Sequence, residues 1–170
     1  MINNNWVFGN RAGLDFSNAD ATTLPTAVSG YHSEIYEGCA SISDADGRFL
    51  FYTNGIKIWY NPPSNSNNAP TGFVDLMAAP TAFPPLEGDP SSTQSSIIVP
   101  DPANDQRYYI FTTDGSSNST APFNHFKGNL LDLSGAAPTL TAVNITNAPS
   151  NEDQSPVEKL TAVQKEDCSG

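Results

Sequence analysis

Four consecutive apolar residues at positions 49–52 restrict the fold of this chain more than any other feature of its sequence. A strand with one face in water alternates apolar and polar residues, because successive side chains point to opposite faces of the sheet. Here Phe49 and Phe51 are expected on one face, and Leu50 and Tyr52 on the other. Since both faces are apolar, the sheet that contains this strand is predicted to be covered on both sides.

Turn residues flank this segment at both ends. Positions 44–47 read Asp-Ala-Asp-Gly, and Asn54-Gly55 is a dipeptide typical of a type I′ turn, in which both central residues have positive φ. The segments between these turns are rich in strand-forming residues. The sequence therefore predicts an antiparallel meander with strands at 39–43, 48–53 and 56–60.

The same pattern recurs about 60 positions later, where Phe111 corresponds to Phe51 and Asp114-Gly115 to Asn54-Gly55. It predicts strands at 95–100, 107–113 and 129–133, with a hairpin turn at 114–115. A third copy begins at 158–163 and reaches Gly170, where the next turn is expected. A repeat of this length with three or four strands is typical of a long propeller blade.

These repeats predict an all-β fold made of the antiparallel meander blades of a partial β-propeller. The blade-like repeats cover about 37–60 and 93–133, and the start of a third covers 158–170. Propellers close with about four to eight blades, so we expect the missing blades to come from the rest of the polypeptide or from another chain. The alternative is a small β-sandwich of seven or eight strands.

A long loop at 61–90 separates the two predicted meanders and holds half of the 14 prolines of the chain. The pairs Pro62-Pro63 and Pro84-Pro85 oppose ladder pairing, because proline has no backbone N–H. Five of the large apolar residues in this loop nevertheless predict that part of it packs onto the body of the domain. They are Phe73, Val74, Leu76, Met77 and Phe83.

The charge of the chain excludes two classes of partner. Eighteen acidic and 7 basic residues give a net charge of −11, which repels nucleic acid and anionic lipid. No apolar run approaches the ~18 residues of a membrane span, so membrane insertion is not expected. The N-terminus lacks the basic start and apolar stretch of a secretion signal. Either the chain is not exported by that route or a signal was removed.

No motif indicates catalysis, a metal or a cofactor. A calcium loop of the EF-hand type that began at Asp44 would need Gly and Glu where Phe49 and Gly55 stand, so 44–47 is interpreted as a turn. Cys39 and Cys168 lack metal-ligand spacing and are predicted to stay unpaired. The two histidines have no partner motif, and no nucleophile or phosphate-loop signature is present. The chain is therefore predicted not to be an enzyme.

Four aromatic residues near predicted loops are candidates for a ligand-binding surface, because aromatics beside loops often contact sugars or protein partners. The alternative for Trp59 is that it packs between blades. The candidates are Tyr31, Tyr36, Trp59 and Tyr60.

Several stretches together resemble the N-terminal β-propeller-like region of large cell-surface proteins of gliding, type IX-secreting bacteria. They occur in the same order along nearly the whole chain, which makes chance unlikely as an explanation of the resemblance. The stretches are 6–10 (WVFGN), 12–16 (AGLDF), 37–44 (EGCASISD), 50–55 (LFYTNG), 91–95 (SSTQS), 98–100 (IVP), 108–112 (YYIFT) and 158–163 (EKLTAV).

The resemblance implies a non-catalytic, surface-exposed propeller in adhesion, gliding or cell-envelope assembly, and it implies no site residue. Two departures concern the proline-rich loop at 61–90, which is longer than the usual connection, and the later blades and sorting domain, which are absent.

Three function classes remain open. The first is a binding or structural module of a secreted or cell-surface protein that contacts a protein or glycan surface. The second is a component or cargo of a phage-tail-like contractile injection particle, which would assemble in the cytoplasm and need no signal. The third is a hydrolase on a propeller scaffold, which would need converging carboxylates or metal ligands.

Overall fold

The computed structural model describes residues 4–34, 36–78, 83–113, 126–145 and 160–162. These residues form eleven β-strands in three antiparallel sheets, a single 3₁₀ helix at Pro70–Gly72 and no α-helix. None of the three sheets closes on itself. The predicted all-β class is confirmed.

The first sheet contains β1 (Asn5–Phe8), β2 (Asn10–Asp15) and β3 (Thr26–Glu34), in the order β1-β2-β3. The absence of a side chain at Gly13 of β2 leaves room for the strands on either side of it. A Cβ at this position would lie 2.6 Å from the carbonyl oxygen of Trp6 in β1 and 2.6 Å from the ring of Tyr31 in β3. No strand was predicted from the sequence in this region. The first sheet is thus a finding of the structure.

The second sheet contains β4 (Ala40–Ser43), β5 (Phe49–Thr53), β6 (Ile58–Tyr60) and β7 (Val74–Asp75), in sequence order. The hairpin at 44–47 is confirmed: the Gly47 N–H donates to the Asp44 carbonyl at 3.1 Å. The predicted type I′ turn is wrong. Thr53 pairs with Ile58, and among residues 54–57 only Gly55 has positive φ. The Asn54 side-chain oxygen accepts hydrogen bonds from the backbone N–H groups of Ile56 and Lys57, at 3.1 and 2.9 Å. These bonds shape a four-residue connection at 54–57 instead.

The third sheet contains β8 (Ser96–Asp101), β9 (Asn104–Thr113), β10 (Phe126–Asp132) and β11 (Thr139–Val143), again in sequence order across the sheet. β8, β9 and β10 correspond to the three strands predicted for the second repeat. The predicted turn at 114–115 lies outside the described residues. Of the predicted third repeat, only residues 160–162 are described, and they form no strand.

The second sheet lies between the other two, and every residue of β5 is buried. Phe49 and Tyr52 belong to the apolar cluster against the first sheet, whereas Leu50 and Phe51 belong to the cluster against the third. The predicted two-sided cover is confirmed, but the predicted face assignment is wrong. A register shift of the ladder between Ile42 and Ser43 inserts one extra residue into β5 and breaks the simple alternation.

The proline-rich loop at 61–90 packs onto both clusters. Phe73 joins the cluster against the first sheet, and Leu86, which is completely buried, joins the cluster against the third. Leu76, Met77 and Phe83 pack against the latter. The prediction that this loop docks onto the body is therefore confirmed for these residues. Val74 is the exception, since it is half-exposed in β7.

The first strands of the three sheets lie next to each other, with β1 against β4 and β4 against β8. β4 and β8 run in the same direction, because the Ser95 hydroxyl donates to the Gly38 carbonyl just before both strands begin, and Ser43 and Pro100 line one cleft where both end. β1 runs the opposite way. Its Asn5 carbonyl accepts from the Ser41 hydroxyl, and two residues later its Val7 carbonyl accepts from the Cys39 thiol.

Candidate functional site

The outward face of the first sheet, here called the first-sheet face, consists of Trp6, Phe8, Leu14 and Phe16. Trp6 pairs with Leu14 across the ladder, and its ring centroid lies 4.9 Å from that of Phe16. Trp6 is 50% exposed and Phe8 is 41% exposed. The alternating residue Val7 points to the opposite side and is buried against the second sheet. The first-sheet face is therefore an apolar surface that the described residues leave partly uncovered.

The outward face of the third sheet, here called the third-sheet face, is also apolar. The rings of Tyr109 and Phe111 stack with centroids 6.2 Å apart, and Phe111 stacks on Phe126 at 5.6 Å. Ile97 and Val99 lie beside these rings, because they pair with Phe111 and Tyr109 across the ladder. All five side chains are half-buried. The two ends of the three-sheet stack thus both present apolar residues.

A cleft of about 400 Å³ opens between the second and third sheets, at the end where the β4–β5 and β8–β9 turns lie. Three carboxylates line it, from Asp44, Asp46 and Asp105. Its one guanidinium, from Arg48, donates to the Asn61 carbonyl at 2.6 Å and is therefore oriented by the loop that follows β6. The complete lining is Ser43, Asp44, Ala45, Asp46, Arg48, Leu50, Tyr60, Pro63, Pro100, Asp105, Gln106, Tyr108 and Leu133.

Tyr108 forms the floor of this inter-sheet cleft. Its hydroxyl donates to the Asp105 carbonyl at 2.7 Å, and its ring packs edge-on against Phe51. Burial raises the pKa of Tyr108, and the nearby carboxylates of Asp44 and Asp105 raise it further. The hydroxyl thus stays protonated at neutral pH. The cleft can accept hydrogen bonds from hydroxyl or ammonium groups through its carboxylates, but it holds no activated nucleophile among the described residues.

The four sequence-predicted surface aromatics do not form one site. Tyr31 and Trp59 are 2% and 5% exposed, so burial removes them from any contact surface. Trp59 instead stacks on Tyr52 with ring centroids 5.0 Å apart, between the first and second sheets. Tyr36 is 72% exposed, and Tyr60 is half-buried at the inter-sheet cleft. Only these last two are available to a partner.

The buried polar groups between the first and second sheets are held in their neutral forms. Burial raises the pKa of Tyr31 to about 12 and that of the Cys39 thiol to about 11. Burial also raises the pKa of Tyr52, whose hydroxyl accepts a hydrogen bond from the His32 backbone N–H at 3.0 Å. Cys39 is a free thiol that packs as a small apolar residue, and Cys168 and His125 lie outside the described residues.

The first-sheet face was not among the candidate surfaces predicted from the sequence. The signal was present in the alternation of Trp6 and Phe8 with buried neighbours, followed by Leu14 and Phe16. It was missed because β1 is only four residues long, which is too short for the alternation to stand out.

Comparisons with protein-family models, with curated proteins and with solved structures find no match to this chain. Within the residues that the structure describes, no three His, Cys, Asp or Glu side chains converge as metal ligands would. The same residues contain no helix of the length and apolarity that a membrane crossing requires.

Proposed function

We propose that the chain is part of a β-propeller and acts as a non-catalytic binding or structural module of a secreted or cell-surface protein. One observation carries this proposal, namely that the segment before β8 contacts both the segment before β4 and Leu160. The Ser95 hydroxyl donates to the Gly38 carbonyl at 2.9 Å, before β8 and β4. The Leu160 N–H then donates to the Gln94 side chain at 3.1 Å, at the start of the next predicted repeat.

Such a series is expected when blades follow one another around a common axis, because each first strand then begins beside the first strand of the preceding blade. The parallel directions of β4 and β8 support the same arrangement. A sandwich of two sheets buries one face of each sheet, whereas the second sheet here is covered on both. The stack therefore favours a propeller over the sandwich alternative.

The two apolar end faces support the expectation that further blades complete the domain. Phe49 and Tyr52 in the middle of the stack are fully buried, while Trp6 and Phe8 at one end are half-exposed. Burying roughly 200 Å² of the first-sheet face would stabilise the protein by about 5 kcal/mol, at ~25 cal/mol per Å². We expect the rest of the polypeptide or another chain to supply this cover.

The binding role rests on the accessible, non-catalytic surfaces. The inter-sheet cleft lies at one end of the parallel first strands and combines carboxylates with Tyr60, which suits a protein or glycan partner. The resemblance to propeller-like regions of bacterial surface proteins supports a role in adhesion, gliding or envelope assembly.

Two experiments test this proposal. For the fold, Gln94→Cys with Leu160→Cys, in a background with Cys39→Ser and Cys168→Ser, should form an intramolecular disulfide in the monomer. Gln94→Cys with Thr139→Cys is the matched control, because Thr139 is an exposed residue of β11. Failure of the first pair to cross-link, or equal cross-linking of both pairs, would contradict the ring arrangement.

For the location, protease treatment of intact cells of the source organism should remove the protein from immunoblots, while a cytoplasmic marker survives. Recovery of the protein only with sedimenting, tail-like particles from lysed cells would contradict the cell-surface role and favour the injection-particle alternative.

A further inference from the structure

We infer that the inter-sheet cleft binds a short peptide segment of another protein, in which one large apolar side chain enters the cleft and a neighbouring arginine or lysine stays at its rim. The inference rests on the binding role proposed above and names the partner of that same site. The burial of the walls, the charge at the rim and the positions of the polar groups all support this occupant.

The inner walls of the cleft are apolar and come from both sheets. Leu50 of β5 and Tyr108 of β9 are buried, and they line the cleft from the second and third sheets. Pro100 and Leu133 extend the apolar wall on the side of the third sheet. With a volume of about 400 Å³, the cleft has room for one large apolar side chain. Insertion of such a side chain would remove its own surface and that of the walls from water.

The rim of the cleft carries charge. Asp46, in the β4–β5 turn, and Asp105, near the start of β9, are both exposed, so each of the two sheets contributes one carboxylate to the rim. No described residue donates a hydrogen bond to either carboxylate. Asp44 differs, because it accepts a hydrogen bond from the Arg48 backbone N–H at 2.8 Å and shapes the turn. Asp46 and Asp105 can therefore pair with a cation of the partner.

The guanidinium within the cleft does not compensate these carboxylates. Arg48 donates to the Asn61 carbonyl at 2.6 Å, and it forms no ion pair with any described residue. Three carboxylates and one guanidinium leave the lining with an excess of two negative charges. Such a rim attracts basic partners and repels acidic ones.

The charge of this chain argues against a second copy as the occupant. The chain has a net charge of −11. Lys57, Arg107 and Lys127 already form ion pairs within the chain, at 2.7, 2.8 and 2.9 Å. A second copy would therefore bring mainly like charge to the rim.

The aromatic rings of the cleft argue for a peptide rather than a glycan. The ring of Tyr108 is buried and packs edge-on against Phe51, so it offers no face on which a sugar ring could stack. Tyr60 is half-buried. A peptide needs no such platform, because an apolar anchor in a desolvated pocket with polar contacts around it is a common arrangement at protein interfaces.

The test uses the capped tripeptide acetyl-Arg-Phe-Arg-amide. Backbone amide shifts of the whole chain are followed by NMR at about 0.15 M salt, where charges more than about 8 Å apart are largely screened. The peptide should shift the amides of Asp46, Tyr60 and Gln106, which line the cleft. The amides of Glu37 and Gln94, which precede β4 and β8 at the opposite end of these strands, should not move.

Two control peptides separate the anchor from the charge. Replacing both arginines with citrulline keeps their shape and removes their charge, and it should weaken binding about fivefold. Replacing the phenylalanine with alanine should weaken binding about tenfold or more, because burial of the ring is the main apolar contribution.

A matched pair of variants separates local recognition from net charge. Asp105→Asn and Glu37→Gln each remove one charge from an exposed carboxylate, the first at the rim and the second at the far end of β4. Asp105→Asn should weaken binding of the arginine peptide about threefold and leave binding of the citrulline peptide unchanged. Glu37→Gln should change neither. A merely structural effect of Asp105→Asn would weaken both peptides alike.

Several outcomes would overturn the inference. Equal binding of the arginine and citrulline peptides would remove the role of the rim, and equal binding of the phenylalanine and alanine peptides would remove the anchor. An equal effect of both variants would reduce the recognition to net charge. Cleft shifts with maltotriose but not with the arginine peptide would assign the site to a glycan.

The cross-link between Gln94→Cys and Leu160→Cys distinguishes failure of this inference from failure of the propeller. No response to the arginine peptide, together with that cross-link, would reject the peptide site and leave the propeller standing. Peptide binding at the cleft without the cross-link would retain the site and reject the propeller.

Discussion

Replacing Gly38 with alanine directly perturbs the contact between the second and third sheets. A Cβ at this position would lie 2.6 Å from the Ser92 carbonyl oxygen and 3.0 Å from the Gln94 Cα, and closer still to the Ser95 nitrogen. All three are backbone atoms, so no side-chain rotation can relieve the clash. The segments that precede β4 and β8 would have to move apart.

The expected loss of stability is about 2 kcal/mol. Overpacking of a well-packed site costs about 1–3 kcal/mol. Separation of the segments also weakens the buried hydrogen bond from the Ser95 hydroxyl to the Gly38 carbonyl, which contributes about 1 kcal/mol. Alanine opposes these losses by about 0.4–1 kcal/mol, because it restricts the unfolded chain.

Urea denaturation followed by tryptophan fluorescence measures this change, with an unchanged m value as evidence that the same two states are compared. Gly135→Ala is the matched control. Gly135 is exposed, and its nearest contact would be the Ala137 carbonyl oxygen at 3.4 Å. We expect that variant to lie within about 0.5 kcal/mol of the native sequence. A Gly38→Ala loss as small as the control's would refute the tight contact from which the parallel arrangement of β4 and β8 is argued.

Three further predictions concern ions, pH and a buried hydroxyl. Because 44–47 is interpreted as a turn rather than a calcium loop, millimolar calcium should leave the melting temperature unchanged; a site at 100 times its Kd would add ~2.7 kcal/mol, so a rise of several degrees would contradict the interpretation. The pKa of Cys39 is raised from 9.0 to about 11 and that of Tyr31 from 10.0 to about 12. The folded chain therefore binds these protons more tightly, and the free energy of unfolding, measured in urea, should fall as pH rises above about 9 and keep falling to about 12. A flat profile would contradict the burial of both groups. Tyr52→Phe removes the hydroxyl that accepts a hydrogen bond from β3 and should destabilise by about 1 kcal/mol in urea; an unchanged midpoint would show that water replaces it.

The parts of the fold that the sequence predicts are those where local chemistry and burial agree. β5 and β9 consist largely of aromatic and β-branched residues, and the hairpin before β5 uses Asp44 and Gly47 as a turn requires. The apolar run at 49–52 predicts burial on both faces, because successive side chains of a regular strand point to opposite faces of the sheet and one buried face could not cover all four. These inferences need only the residues of one segment.

Other features depend on contacts that a single segment does not encode. Phe51 points to the face opposite to the predicted one, because the register of the β4–β5 ladder shifts between Ile42 and Ser43. Nothing in the run 49–52 signals that shift. The turn after β5 changes because the Asn54 side chain caps the two N–H groups that follow Gly55. Tyr31 is buried because Gly13 lets its ring approach the neighbouring strand.

The candidate surface was predicted poorly for a related reason. Aromatic residues beside loops were taken as contact residues, but Trp59 stacks on Tyr52 in the interior. Trp6 and Phe8 were not singled out, although they are among the large apolar residues that remain exposed. Whether an aromatic residue on a strand is exposed depends on how many sheets stack upon it, and that number is a property of the assembly rather than of the segment.

The same dependence links the stability of this chain to its environment. Both faces of the second sheet are covered by a neighbouring sheet. Detaching the first sheet would expose the completely buried rings of Phe49 and Tyr52, and detaching the third sheet would expose that of Phe51. The first and third sheets are bound to the stack by one face each, and their outward faces carry the same kinds of residue as the buried ones. A sheet added to either end would therefore bury aromatic surface as the inner contacts already do, without any change in the three sheets beneath it. Each such addition turns an end sheet into an inner one, and the proposed propeller would meet this demand because closure into a ring leaves no end sheet.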